Sequence, residues 1–243
     1  MLATVLSVFA LGAAGCSAQA SRLDASFEPE PVVPAVQEAP VVVAADGAFP
    51  EQVALAEVYA GGFARIGRPA STRLDVPLAM RVDAVRSGTA TMSFGCTGEL
   101  LTLMDPAGAR RLAMEYQADD DPGKASSPEW RDRVYGAMSA ALPAEIMATD
   151  PSNAQACGDD TAPVIGPGST DAEVAAALPR HLVPFYAKPA LDRRARVEVL
   201  NRIAGSISTD EVRELARSAG VPGGVDAADL AREWLSTSRF ATG

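Results

Sequence analysis

Past residue 40 the chain alternates short apolar runs with amphipathic stretches of helical period. PVVVAAD (40–46) is a continuous apolar run ending at Asp46 and Gly47, which predicts a buried strand leading into a loop. FPEQVALAEVYAGGFARIG (49–67) then sets Leu55, Val58, Tyr59, Phe63 and Ile66 at helical spacing. Pro50 suits the first turn of that helix and Gly67 its stop. Val76 to Arg86 predicts a shorter helix with Leu78, Val82 and Val85 inward, TATMSF (89–94) a strand, and GELLTLM (98–104) the start of another helix. Strand, helix and strand in this order predict an α/β fold with a parallel-type sheet, crossovers and flanking helices.

The second half is punctuated by caps. SSPEWRDRVYGAMSAALP (126–143) predicts a helix with Ser127 as cap, Pro128 in the first turn and a stripe of Trp130, Val134, Met138 and Leu142. EIMATDPSNAQA (145–156) reads as a strand and an exit loop. Thr170 and Glu173 mark one small helix, Ser208 and Glu211 form a capping box for TDEVRELARSAG, and Asp226 caps a last helix carrying Leu230 and Trp234. These stripes are core in the making rather than a cofactor site.

Composition adds a leader and a tether. MLATVLSVFALGAAGC (1–16) is an unbroken apolar run, shorter than the ~20 residues that span a bilayer, and it suits the apolar region of a signal peptide. Ala13, Ala14 and Gly15 before Cys16 resemble the lipobox of bacterial lipoproteins, in which the cysteine thiol is acylated and becomes the mature N-terminus. Residues 17–40 carry prolines and acids without helical period, the composition of an extended, solvated tether. The expectation is an exported protein held at the extracytoplasmic face of the cell membrane by its lipid alone. A net charge of −10 argues against nucleic acid, whose phosphates need a basic surface. In an oxidising compartment Cys96 and Cys157 are the two thiols left over, and the simplest expectation is that they pair.

Four blocks in order resemble the substrate-binding proteins of ABC importers for glycine betaine, choline and related osmoprotectants. FPEQVALAEVYAGGFARIG resembles the family's opening helix after the first strand. VDAVRSGTATMSFGCTGELLT resembles the helix, Ser-Gly turn and strand that lead to a Tyr-Thr-Gly motif, and VYGAMSAALPAEIMATDPSNAQ the helix and strand that follow. VPFYAKPALDRRARVEVLNRIAGSISTDEVRELARSAG, with DLAREWL behind it, resembles the C-terminal region. The resemblance implies a periplasmic-binding-protein-like (type 2) fold with a helical C-terminal segment, two lobes closing on a ligand, and aromatic rings caging a quaternary ammonium.

Two departures modify that expectation. Cys96-Thr97-Gly98 stands where the family has Tyr-Thr-Gly, so a cleft-facing ring is missing. Only residues 161–180 separate the first-lobe blocks from the C-terminal block, where a second lobe would need on the order of a hundred residues. The expected organisation is a signal peptide over 1–16, a tether over 17–40 and a single domain over 41–243. Within that domain, 41–160 is the first half of lobe one, 161–180 a connector in place of lobe two, and 181–240 the helical completion.

Functionally, the reading is a non-catalytic binding component of an importer for betaine- or choline-type solutes, with an ABC permease as partner. The alternative is a single-lobe homologue that works by protein interaction. Phe49, Glu51, Thr97, Gly98 and Tyr186 are the expected ligand-binding residues, drawn from aromatics and motif positions near the implied cleft. His181, the one histidine, has no nucleophile beside it in sequence and reads as a structural or surface residue. ADDDPG (118–123) lacks the carboxylate pattern of a calcium loop, and no phosphate cradle or nucleophile elbow appears. No cofactor, no metal and no enzyme activity is expected.

Overall fold

Apolar Val41, Val43 and Ala44 alternate their side chains to both faces of a sheet, and both faces are covered. The computed structural model describes residues 39–155, 163–219, 225–237 and 240. The signal peptide with Cys16, the tether up to residue 38, and Cys157 lie outside the described residues. The chain divides into two units, residues 1–34, which are not among those described, and residues 35–243. The account below concerns the second.

Five strands form one sheet in the order β2-β1-β3-β5-β4: β1 (Val41–Ala44), β2 (Ala70–Arg73), β3 (Met92–Cys96), β4 (Ile146–Ala148) and β5 (Leu182–Ala187). β1 runs parallel to β2 and to β3, in the register Val43↔Met92 and Ala44↔Ser93. β5 runs antiparallel between β3 and β4, pairing Met92↔Tyr186 through Cys96↔Leu182. The sheet is therefore mixed, with the parallel part where the strand-helix-strand order placed it.

Helix α1 (Pro50–Arg65) follows β1, α2 (Leu78–Arg86) follows β2, and α3 (Thr97–Met104) follows β3 without a break. Next come α4 (Pro106–Ala118), α5 (Pro128–Ala141) and α6 (Asp171–Ala177). After β5, α7 (Arg193–Ala195) passes through a π-helical turn (Arg196–Asn201) into α8 (Arg202–Ser206). The chain then forms α9 (Thr209–Ala219) and α10 (Ala227–Thr237). The caps of α6 and α9 are capping boxes built on Thr170 with Glu173 and Ser208 with Glu211, and Asp226 accepts from the amide of Ala228. Ser127 stands at the N-cap of α5, yet its side chain makes no capping bond.

Helix α1 packs against one sheet face together with α9 and α10, enclosing Phe63, Met92, Phe94, Tyr186 and Trp234. The Gly61-Gly62 pair makes this possible: a methyl group on either would stand 2.8 to 2.9 Å from Leu235, Ile203 or Val199. Gly67, at φ 81°, turns the chain out of the helix where other residues would be strained. The other face carries Leu100, Val134, Met138, Val183 and Phe185 under α2 to α6.

Candidate functional site

In an open α/β sheet, ligands gather beyond the C-terminal ends of parallel strands, at the point where the strand order reverses. Here the chain goes from β1 outward to β2 and then back past β1 to β3, so that point lies between β1 and β3. The two strands stay paired only as far as Ala44 and Ser93, sealed by the Ser93 hydroxyl donating to Ala44 O at 2.7 Å. β3 continues to Cys96, which leaves the Phe94 carbonyl past the end of its partner.

Arg81, reaching in from α2, fills the gap. It is 1% exposed. Its Nε donates to Val76 O at 3.0 Å and its Nη1 to Phe94 O at 2.9 Å. Nη2 donates to Gln52 Oε1, which also accepts from the amide of Asp46. The guanidinium lies 5.8 Å from the centre of the Phe94 ring, and Tyr59 stacks on that ring at 5.6 Å. Burial draws the arginine down to about 10, with the charges of Asp46 and Glu99 opposing the shift, so it stays protonated at neutral pH. The strand-reversal crevice is thus filled by a cation of the protein's own.

An open groove lies beside it on the same edge, with a cavity volume of about 770 Å³. Its walls come from the first turn of α2 (Leu78, Ala79), from α3 (Thr102, Leu103), from the start of α4 (Pro106) and from α6 (Ala172, Ala176). Its charged lining residues, among those described, are Glu99, Asp171, Glu173 and Arg180. Glu99 is half-buried, and desolvation pushes its carboxyl up while Arg180 and Arg81 pull it back. Among the described residues the lining therefore combines an aliphatic floor with three acids and one base, a suitable arrangement for a solute carrying charge on an apolar body.

The residues expected to bind ligand separate into two groups. Phe49, at 51% exposure, is the N-cap residue of α1, and Glu51 stands in that helix's first turn. Thr97 and Gly98 open α3 on the same edge but are buried. The Thr97 hydroxyl donates to Pro179 O at 2.9 Å and its amide to His181 O at 3.0 Å. A methyl on Gly98 would meet Leu178 Cβ at 2.9 Å and Ala175 O at 3.0 Å, so glycine here lets α3 approach α6. Tyr186 pairs with Met92 at the opposite end of β3, 1% exposed, its hydroxyl 3.0 Å from Met147 Sδ. Of the remaining aromatics near these segments, Tyr59, Phe94 and Phe185 are all in the core. Cys96 ends β3 fully buried.

His181 is also buried, and its Nδ1 lies 3.0 Å from Ser152 O, to which it donates. Among the described residues no three His, Cys, Asp or Glu side chains gather as a metal site, and no helix is long and apolar enough to cross a membrane. Arg81, Glu99 and Arg180 are the charged residues that sequence reading passed over. The signal for Arg81 was present: it falls three residues after Leu78, on the inward side of its helix.

No family model matches the chain, and no curated protein matches its sequence. Solved structures do match by fold. Apo YehZ from Escherichia coli aligns with a TM-score of 0.51 and 12% identity, over 82% of this chain and 98% of that one. A structure described as a glycine betaine/carnitine/choline ABC transporter aligns with a TM-score of 0.55 and 13% identity, over 83% and 99%. The class of architecture is periplasmic-binding-protein-like, a mixed five-stranded sheet flanked by helices.

Proposed function

We propose that this chain is a solute-binding protein of the cell envelope, which captures a quaternary-amine solute of the betaine or choline type for an ABC permease. The groove between α2, α3 and α6 carries this reading: it is the open cavity at the ligand-bearing edge of the sheet, and it sets Glu99 and Arg180 on an aliphatic floor. Glu99 suits the ammonium of such a solute, and Arg180 a carboxylate where there is one. The fold likeness to a betaine, carnitine and choline transporter structure supports the class of ligand. In this reading Cys16 is lipidated and residues 17–40 tether the domain to the membrane. No step of catalysis is assigned.

The test is isothermal titration of residues 35–243 with glycine betaine, choline and carnitine. The reading expects saturable heat with at least one of them, lost in Glu99→Gln. Flat traces with all quaternary amines, short or long, would overturn it.

A second reading is favoured by the apolar rim of this edge, where Phe49 and Met80 are 51% and 61% exposed. Met80 directly follows Leu78 and Ala79 of the groove wall, and a contiguous exposed apolar patch marks a contact surface. Here the domain would bind an envelope protein, and Met80→Glu would abolish that capture while leaving the solute titrations as they are.

A further inference from the structure

The groove is far larger than a compact quaternary amine. Its volume of about 770 Å³ falls in the range of sites that enclose drug-sized molecules. Its walls are aliphatic, with Leu78, Leu103, Pro106, Ala172 and Ala176 forming the apolar surface, and among the described residues no aromatic lines it. A bare trimethylammonium head is best held by rings, through cation–π attraction. Of the rings near this edge, Phe94 and Tyr59 serve the protein itself, because Phe94 faces the Arg81 guanidinium and Tyr59 stacks on Phe94, while the exposed Phe49 is not part of the lining. The groove thus offers little to a small cation beyond charge, and much to a hydrocarbon chain.

The charges lining the groove select the sign of the head. Among the described residues, Glu99, Asp171 and Glu173 line it against one guanidinium, that of Arg180. Asp171 is paired with Arg110 at 3.3 Å and Glu173 is held in the cap of α6, so both acids are structurally engaged. Glu99 is half-buried in the wall, and the charges of Arg180 and Arg81 only partly offset its desolvation. A carboxylate stripped of part of its water gains most from a cation that brings its own charge and little hydration.

From this lining we infer that the solute is an amphiphilic cation, with an ammonium head at Glu99 and an aliphatic chain along Leu103, Pro106, Ala172 and Ala176. The inference rests on the groove being the solute site. Each methylene laid on that floor leaves water, and in a groove open on one side this strengthens binding by roughly two- to fourfold per methylene. The gain stops when the chain outgrows the groove.

The experiment is titration of residues 35–243, below micelle-forming concentrations, with alkyltrimethylammonium ions of increasing chain length and with alkyl sulfates of matched length. The expected result is a stepwise rise in affinity over the first several carbons. Cations should bind at least tenfold tighter than anions of the same chain. Ala172→Trp, which fills the groove from an exposed position, should weaken the long-chain cations at least tenfold. If choline binds and added carbons change nothing, the inference is overturned while the solute reading stands. Equal binding of both signs, or indifference to Ala172→Trp, would mean surface adsorption and would overturn it too. If no member of either series binds, the solute reading falls with it.

Discussion

Single residues at the groove edge carry charge where burial makes charge expensive, and each has its own answer. Arg81 places its donors on the Phe94 carbonyl past the end of β1 and on the Val76 carbonyl in the loop before its own helix. His181 does the opposite and stays neutral: burial lowers its pKa below the usual value, and its bond to Ser152 O only partly restores it. The unfolded chain binds a proton at this residue near pH ~6.5, the folded chain only at lower pH. Between those two values the unfolded state holds more protons, so stability falls as the pH drops through the window. Wild type should therefore lose more stability than His181→Asn between about pH 7.5 and pH 5, read by urea unfolding. Identical pH profiles would show that His181 does not report this burial. His181 was legible as a structural residue because its sequence neighbours offer it no chemistry. Glu99 and Arg180 were not legible, since their meeting depends on α6 and β5 folding back over α3, which no local pattern encodes.

At the scale of elements, the corner where β3 runs straight into α3 shows what a motif can and cannot tell. The Cys96-Thr97-Gly98 segment was expected to face ligand. Thr97 and Gly98 instead join α3 to Pro179 and α6. The strands and helices with clean periods, β1, α1, α2, β3, α5, α9 and α10, were legible from the spacing of their apolar side chains. β2 was not, because ASTR has an apolar residue at one position only and gains its place by pairing with β1. β5 was hidden by Pro184, which speaks against an inner strand. Its ring nitrogen points toward the end of β4, where Thr149 donates to Pro184 O and the ladder stops, so one missing donor is tolerated. We also propose that this corner is tied by a Cys96–Cys157 disulfide. Cys96 pairs with Leu182, whose amide donates to Ala154 O at 3.0 Å. Three further residues, spanning about 10 Å when extended, reach the cysteine separation that a disulfide requires. Reduction should lower the unfolding free energy by ~2–4 kcal/mol, the range typical of disulfides. Unchanged stability, with two free thiols by mass before reduction, would remove the pairing from the account.

On the scale of the whole molecule, the sequence carried the class of fold because four ordered blocks and their punctuation had to fold into one sheet. The site was only partly visible, and the reason is physical. A parallel sheet advertises its strand ends, so Phe49 and Glu51 were sought where β1 leads into α1, and they stand at the start of that helix. Tyr186 was drawn to that edge by its neighbours in sequence, but β5 runs antiparallel and carries it to the far end. The groove itself is assembled from α2, the consecutive helices α3 and α4, and the later α6, and their aliphatic side chains look like ordinary core. The central claim is that this groove, and not another surface of an acidic protein, receives the solute. Nitrogen-labelled residues 35–243 titrated with octyltrimethylammonium test it directly by the amide shifts in NMR spectra. The account predicts saturable shifts concentrated at Glu99, Thr102, Leu103, Ala172 and Ala176. Shifts scattered over the acidic surface, or gathered at the Tyr186 end of the sheet, would contradict it.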